Sequence, residues 1–163
     1  MSAVDELLAG ARARLAGVPR EGLGELLPPR RLLGIRRSPR IVRQGDAWHL
    51  GTLLLTDDEL LATGDILRAR AEVRRGFTAE SQRRRAELAA AARRGGFAEG
   101  ETVHIGWRRL DLDAIGRGAA SDPVRIAGGE PQVRWSAKGG WVPLARYLEE
   151  RVDLLLNPPG GAT

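Results

Sequence analysis

Apolar residues recur every three or four positions at the start of the chain. Val4, Leu7, Leu8, Ala11 and Leu15 form one stripe, with Ser2 placed to cap it and Asp5 at the third helical position. The pattern predicts a first helix, ended by Gly17 and Pro19. Gly22 to Leu27 predicts one more helical turn before Pro28 and Pro29. Residues 28–40, PPRRLLGIRRSPR, read as a basic connector. Such a segment is expected to pack Leu32, Leu33 and Ile35 on the domain and leave its arginines in water; the competing reading is an arm lying on an anionic partner.

From residue 40 the period changes from 3.6 to 2. Arg40–Arg43 predicts a short strand, Gln44–Gly45–Asp46 a turn and Trp48–Thr56 a longer strand. Leu53, Leu54 and Leu55 in succession predict burial on both faces, because successive strand side chains point opposite ways. After the Asp57–Asp58 turn, Glu59–Thr63 returns. Leu67, Ala69, Ala71 and Val73 then alternate with Arg68, Arg70, Glu72 and Arg74, as in a half-buried strand with a charged outer face; a helix is the competing reading, since these residues are good helix formers. Thr78–Arg94 predicts a helix with Thr78 as cap and Gly95–Gly96 as stop. Three more strands follow around Val103–Trp107, Val124–Ile126 and Val133–Trp135, the last two joined as a hairpin through Ala127–Gly128–Gly129–Glu130. Pro143 opens a final helix whose apolar face is Leu144, Tyr147, Leu148, Val152 and Leu155. The expected fold is a single α+β domain over residues 1–163. A mostly antiparallel sheet of about seven strands carries an N-terminal, an inserted and a C-terminal helix; residues 1–38 are helix and connector, and 40–156 the β-rich body.

Four strands, then three, then a helix, with Gly51–Leu60 reading GTLLLTDDEL, resembles pleckstrin-homology and GRAM-like domains over residues 40–156. The first helix and the one inserted at 78–94 depart from that pattern. The segments at Gly45–Leu55, Gly76–Ser81 and Arg94–Val103 resemble a group of short bacterial proteins loosely labelled glutaminase. That resemblance implies amide hydrolysis, which needs an activated nucleophile. The 163 residues hold no cysteine, no Ser-x-x-Lys and no G-x-S-x-G. Ser136 and Lys138 would share one face if they lay on a strand. No catalytic residue is assigned on this basis.

The absence of cysteine excludes disulfides and thiolate metal sites and fits a reducing cytoplasm. The acids near the start of the chain are unlike a secretory signal, so a cytoplasmic protein is expected. His49, His104, Glu99, Glu101, Asp111 and Asp113 are the candidate metal donors. Leu110–Asp113 as a strand would put both aspartates on one face, but Leu110, Leu112 and Ile115 explain the pattern as core; neither metal nor cofactor is expected. The 26 basic residues outweigh 21 acids, and Lys138 is the only lysine. Arginine suits carboxylate and phosphate recognition. The one constellation to follow is Arg68, Arg70, Arg74 and Arg75 as an anion-binding strand face; solvation alone is the competing reading. Arg83, Arg84 and Arg85 fan about 100° apart on a helix and cannot make one patch. The expected function is a non-catalytic binding or interaction module, its partner a protein, an anionic surface or a second copy.

Overall fold

The computed structural model describes residues 2–29, 31–72, 76 and 79–160. In chain order the elements are α1 (Ala3–Leu15), β1 (Glu21–Leu27), β2 (Arg31–Leu32), β3 (Ile35–Arg36), β4 (Arg40–Leu50), β5 (Leu53–Leu55), β6 (Leu60–Ala62) and β7 (Asp65–Arg68). Then come α2 (Glu80–Arg94), β8 (Thr102–Ile105), β9 (Arg108–Arg109), α3 (Leu112–Gly116), β10 (Val124–Ala127), β11 (Glu130–Arg134), β12 (Trp141–Pro143) and α4 (Leu144–Leu156). The fold is α+β. One sheet has seven strands in the order β7-β8-β1-β4-β5-β6-β9, a second has three, β10-β11-β12, and β2 and β3 form a small hairpin. The large sheet is mixed rather than mostly antiparallel, because β1 and β8 pair in parallel. Among the described residues no helix is long and apolar enough to cross a membrane.

Two compact units share the chain. One comprises residues 1–20, 47–63 and 108–163. Its core joins Val4, Leu8 and Leu15 of α1, Trp48 and Leu50 of β4, Leu53 and Leu55 of β5, and Leu144, Tyr147, Leu148 and Val152 of α4. The predicted cap of α1 is present: the Ser2 hydroxyl accepts from Asp5 N, and the Asp5 carboxylate accepts from Ser2 N at 2.9 Å. Leu53, Leu54 and Leu55 are all fully buried, as their succession required. Leu53 and Leu55 lie under the helices; Leu54 points the other way, on the rung with His49 and Leu61. The Tyr147 hydroxyl accepts from Thr52 N at 2.8 Å and ties α4 to the β4–β5 turn.

The second unit comprises residues 21–46 and 64–107. Ile41, Ala69, Ala91, Ala92, Phe97, Val103 and Ile105 form its core. Val103 and Ile105 of β8 belong to this core.

Several expectations are corrected. Gly22–Leu27 is not a helical turn but strand β1, since its backbone bonds to β8 outweigh a weak local preference. Residues 40–50 form one strand with no turn at 44–46. The turn lies at Gly51–Thr52, where Gly51 holds φ +68 and lets Leu50 pair with Leu53. Leu33 and Ile35 do not pack on the domain: they are 96% and 69% exposed at the β2–β3 hairpin. Trp135, at the end of the predicted strand from Val133, is half-exposed and lies past the end of β11. Asp111 is not on a strand; it caps α3, accepting from Ala114 N at 2.9 Å, so Asp111 and Asp113 share no strand face. The strand predicted through Val73 ends at Arg68, and Ala71 is exposed. Thr78, the predicted cap of α2, lies outside the described residues, as does Val73.

Candidate functional site

Strand β7 forms one end of the large sheet and, among the described residues, has a hydrogen-bonded strand neighbour only in β8. The two are antiparallel, with Leu67 opposite Val103 and Arg68 opposite Thr102. Just past the strand, Ala69 N donates to Glu101 O at 2.9 Å. In an antiparallel ladder, residues alternate between facing the partner and facing away. Asp65, Leu67 and Ala69 therefore face β8, and Ile66 and Arg68 aim their backbone N–H and C=O outward.

Helix α2 packs on this edge through small residues. The side chains of Ala90, Ala91 and Ala92 are buried, and Leu67 and Leu88 pack at the rim of the same core. Strand and helix meet where Arg70 N donates to Ala89 O at 3.1 Å. Toward Ile66 and Gln82 they leave an open groove of about 660 Å³, lined by Ile66, Leu67 and Arg68 from the strand and Gln82, Arg85, Ala86 and Ala89 from the helix. The helical set follows i, i+3, i+4, i+7, the spacing of one face. The floor is apolar, with Ile66 51% exposed. Both charged lining residues are arginines. Among the described residues neither Arg68 nor Arg85 meets a carboxylate; Arg68 reaches only the Gly100 carbonyl, at 3.5 Å.

The other arginines of the predicted face are placed differently. Arg70 is exposed but lies 3.7 Å from Glu99, which also draws Arg93 and accepts from Ala71 N. Arg74 and Arg75 lie outside the described residues. Arg83, Arg84 and Arg85 fan apart as their spacing requires. Only Arg85 lines this groove, while Arg83 lines a second one with Arg36, Arg94, Glu72 and Glu87, where the charges are mixed. Arg85 and Gln82 are thus absent from the sequence-predicted site. Their signal is the i, i+3, i+4, i+7 register with Ala86 and Ala89, legible only once the inner face of α2 is known.

Below the groove, the β8 end is fixed by charge. Burial pushes the Glu101 carboxyl up, but the hydrogen bond from Arg43 and the Ala98 N–H outweigh it and hold it below the ordinary glutamate value. Arg43 also pairs with Asp46 at 2.6 Å and lies over the Phe97 ring at 4.5 Å. His104, on β8, is buried and bonded to Glu21 at 3.0 Å. The candidate metal donors Glu99 and Glu101 are both engaged by arginines.

Ser136 and Lys138 lie in the turn between β11 and β12, not on a strand, so the two-residue spacing gives them no common strand face. The glycines at 95 and 96 follow α2. Gly96 N donates to Arg93 O and Phe97 N to Ala92 O, with Gly96 at φ +107, a helix stop of the Schellman kind.

No family model, curated protein or solved structure matches the chain.

Proposed function

We propose that this protein is a non-catalytic binding module that takes an anionic ligand in the groove between β7 and α2. The observation that carries the reading is the groove itself: an apolar floor, two arginines without a carboxylate partner among the described residues, and no acidic lining residue. Most other arginines are already committed. Arg20 lies over Trp48, Arg125 and Arg134 over Trp141, and Arg109 pairs with Glu59 at 2.7 Å. A guanidinium presents a planar fork of donors that suits carboxylate and phosphate alike. The likeness of residues 40–156 to pleckstrin-homology and GRAM-like domains supports the same class of function; the parallel β1–β8 pair is a departure from an antiparallel pattern. Binding of an anionic polymer or membrane surface through a broader arginine face is the alternative, and amide hydrolysis of the glutaminase type the second.

The test is retention on immobilised heparin. Retention should weaken with salt, as counterion release requires. Replacing Arg68 and Arg85 together by Gln should lower the salt needed for elution. Replacing Arg83 and Arg84 by Gln removes the same charge at positions of α2 outside this groove and should leave elution near that of the parent. Equal shifts for the two pairs would reject the groove and leave net charge as the cause.

A further inference from the structure

We infer that the ligand is an extended, acidic segment of a partner protein, which pairs with β7 as an added edge strand. The inference rests on the groove being the anion site and goes further in naming what fills it. Three observations lead to it. First, among the described residues β7 has a strand on one side only, and Ile66 and Arg68 aim their backbone groups away from that neighbour. An edge of this kind is a template for main-chain pairing. Second, α2 meets the edge where Arg70 N donates to Ala89 O, and beside Ile66–Arg68 the strand and helix leave an open space of about 660 Å³. Its volume is within the range of ligand sites, but its openness suits a chain laid along it better than an enclosed small molecule. Third, the charge is of one sign.

The alternation of β7 also sets the pattern of the guest. Leu67 and Ala69 face the α2 side, where Ala91 and Ala92 pack, so the side chains of Ile66 and Arg68 leave the strand on its opposite face and line the groove from the strand edge. Side chains of an added strand alternate in the same way. Those on the α2 side would meet Leu67, Ala86 and Ala89 and favour small apolar residues. Those on the other side would stand beside Ile66 and Arg68, where a carboxylate forms a favourable cross-strand pair. Arg85 receives a second carboxylate at the rim. The recognised segment therefore alternates small apolar and acidic residues and contains no proline at the positions that pair.

The probe is an acetylated, amidated, fluorescein-labelled peptide of alternating valine and glutamate, about eight residues long, followed by anisotropy. It should bind saturably. Ile66→Pro removes one outward N–H while leaving the bonds to β8 in place, a substitution edge strands accept. It should weaken the peptide at least about tenfold, a 1.4 kcal/mol loss, with heparin retention measured alongside. The Arg68→Gln, Arg85→Gln pair should weaken both. A probe N-methylated at alternate residues on the pairing side should also fail, which keeps the test decisive if Ile66→Pro does not fold. Peptide affinity that survives Ile66→Pro or N-methylation overturns strand addition and leaves the anion site standing. Strand addition is likewise overturned if heparin retention depends on Arg68 and Arg85 but the peptide does not bind. Loss of neither ligand in the arginine pair overturns both readings. A dimer that forms with rising concentration and is abolished by Ile66→Pro would assign the edge to a second copy instead.

Discussion

At the scale of single residues, many of the arginines are held by specific contacts. Trp141 lies between Arg125, 4.0 Å from its ring centroid, and Arg134, at 4.9 Å. Arg151 lies over Tyr147, and Arg12 donates to the Thr56 carbonyl at 2.7 Å. A planar cation can stack on a ring and bond at its edge at once, which lysine cannot do. Composition leaves open whether this charge is functional. The contacts divide it, and among the described residues only Arg68 and Arg85 line the apolar-floored groove beside β7. Leu53 and Leu54 carry a separate expectation. Both are fully buried on opposite faces of β5, so truncating either to alanine should cost about 2–5 kcal/mol. Denaturant unfolding of the two variants measures this. A one-sided sheet would instead leave one of them close to the parent.

At the scale of elements, the helices are the legible part. The α1 stripe and capping box, the apolar face of α4 and the extent of α2 all follow from short-range spacing, which a helix converts directly into a face. Strands are less legible. The β4–β5 boundary is ambiguous in sequence because Gly45 and Gly51 both look like turn residues, and only the pairing of Leu50 with Leu53 selects between them. The Gly128–Gly129 turn is where the sequence predicts it: both residues have positive φ, as a two-residue hairpin needs. Gly95 shows a reason invisible in sequence. Its own φ is −79, which any residue adopts, but a Cβ there would collide with the carbonyl of Ile41 on β4. Gly95→Ala should therefore destabilise the protein by about 1–3 kcal/mol, as overpacking against rigid backbone does, although alanine is the better helix former. An alanine variant melting at or above the parent temperature would show that close approach to be dispensable.

At the scale of the whole molecule, charge should matter little to stability. The ion pairs Arg14–Asp153, Arg109–Glu59 and Arg146–Glu150 are exposed, and exposed pairs are weak and screened by salt. Raising sodium chloride to about 1 M, where the Debye length is about 3 Å, should move the melting temperature by no more than about 4 °C. A larger fall would mean that the arginine network holds the fold. The same salt should abolish heparin retention, so binding and stability separate in one titration.

The sequence by itself determined the α+β class, the places where helix caps were strongest or turns most sharply marked, and the two-faced burial of Leu53–Leu55. These depend on neighbours within a few residues, through periodicity, capping and turn chemistry. Only the tertiary structure decided that β1 is a strand, that it runs parallel to β8, and that the two cores draw on segments interleaved along the chain. It alone put Arg68 and Arg85, on different elements, into one groove while giving Arg70 to Glu99. The physical reason is the same in each case. Strand partners and groove walls are chosen by backbone hydrogen bonds and packing between residues tens of positions apart, and local sequence pattern does not encode which distant edge a strand will meet.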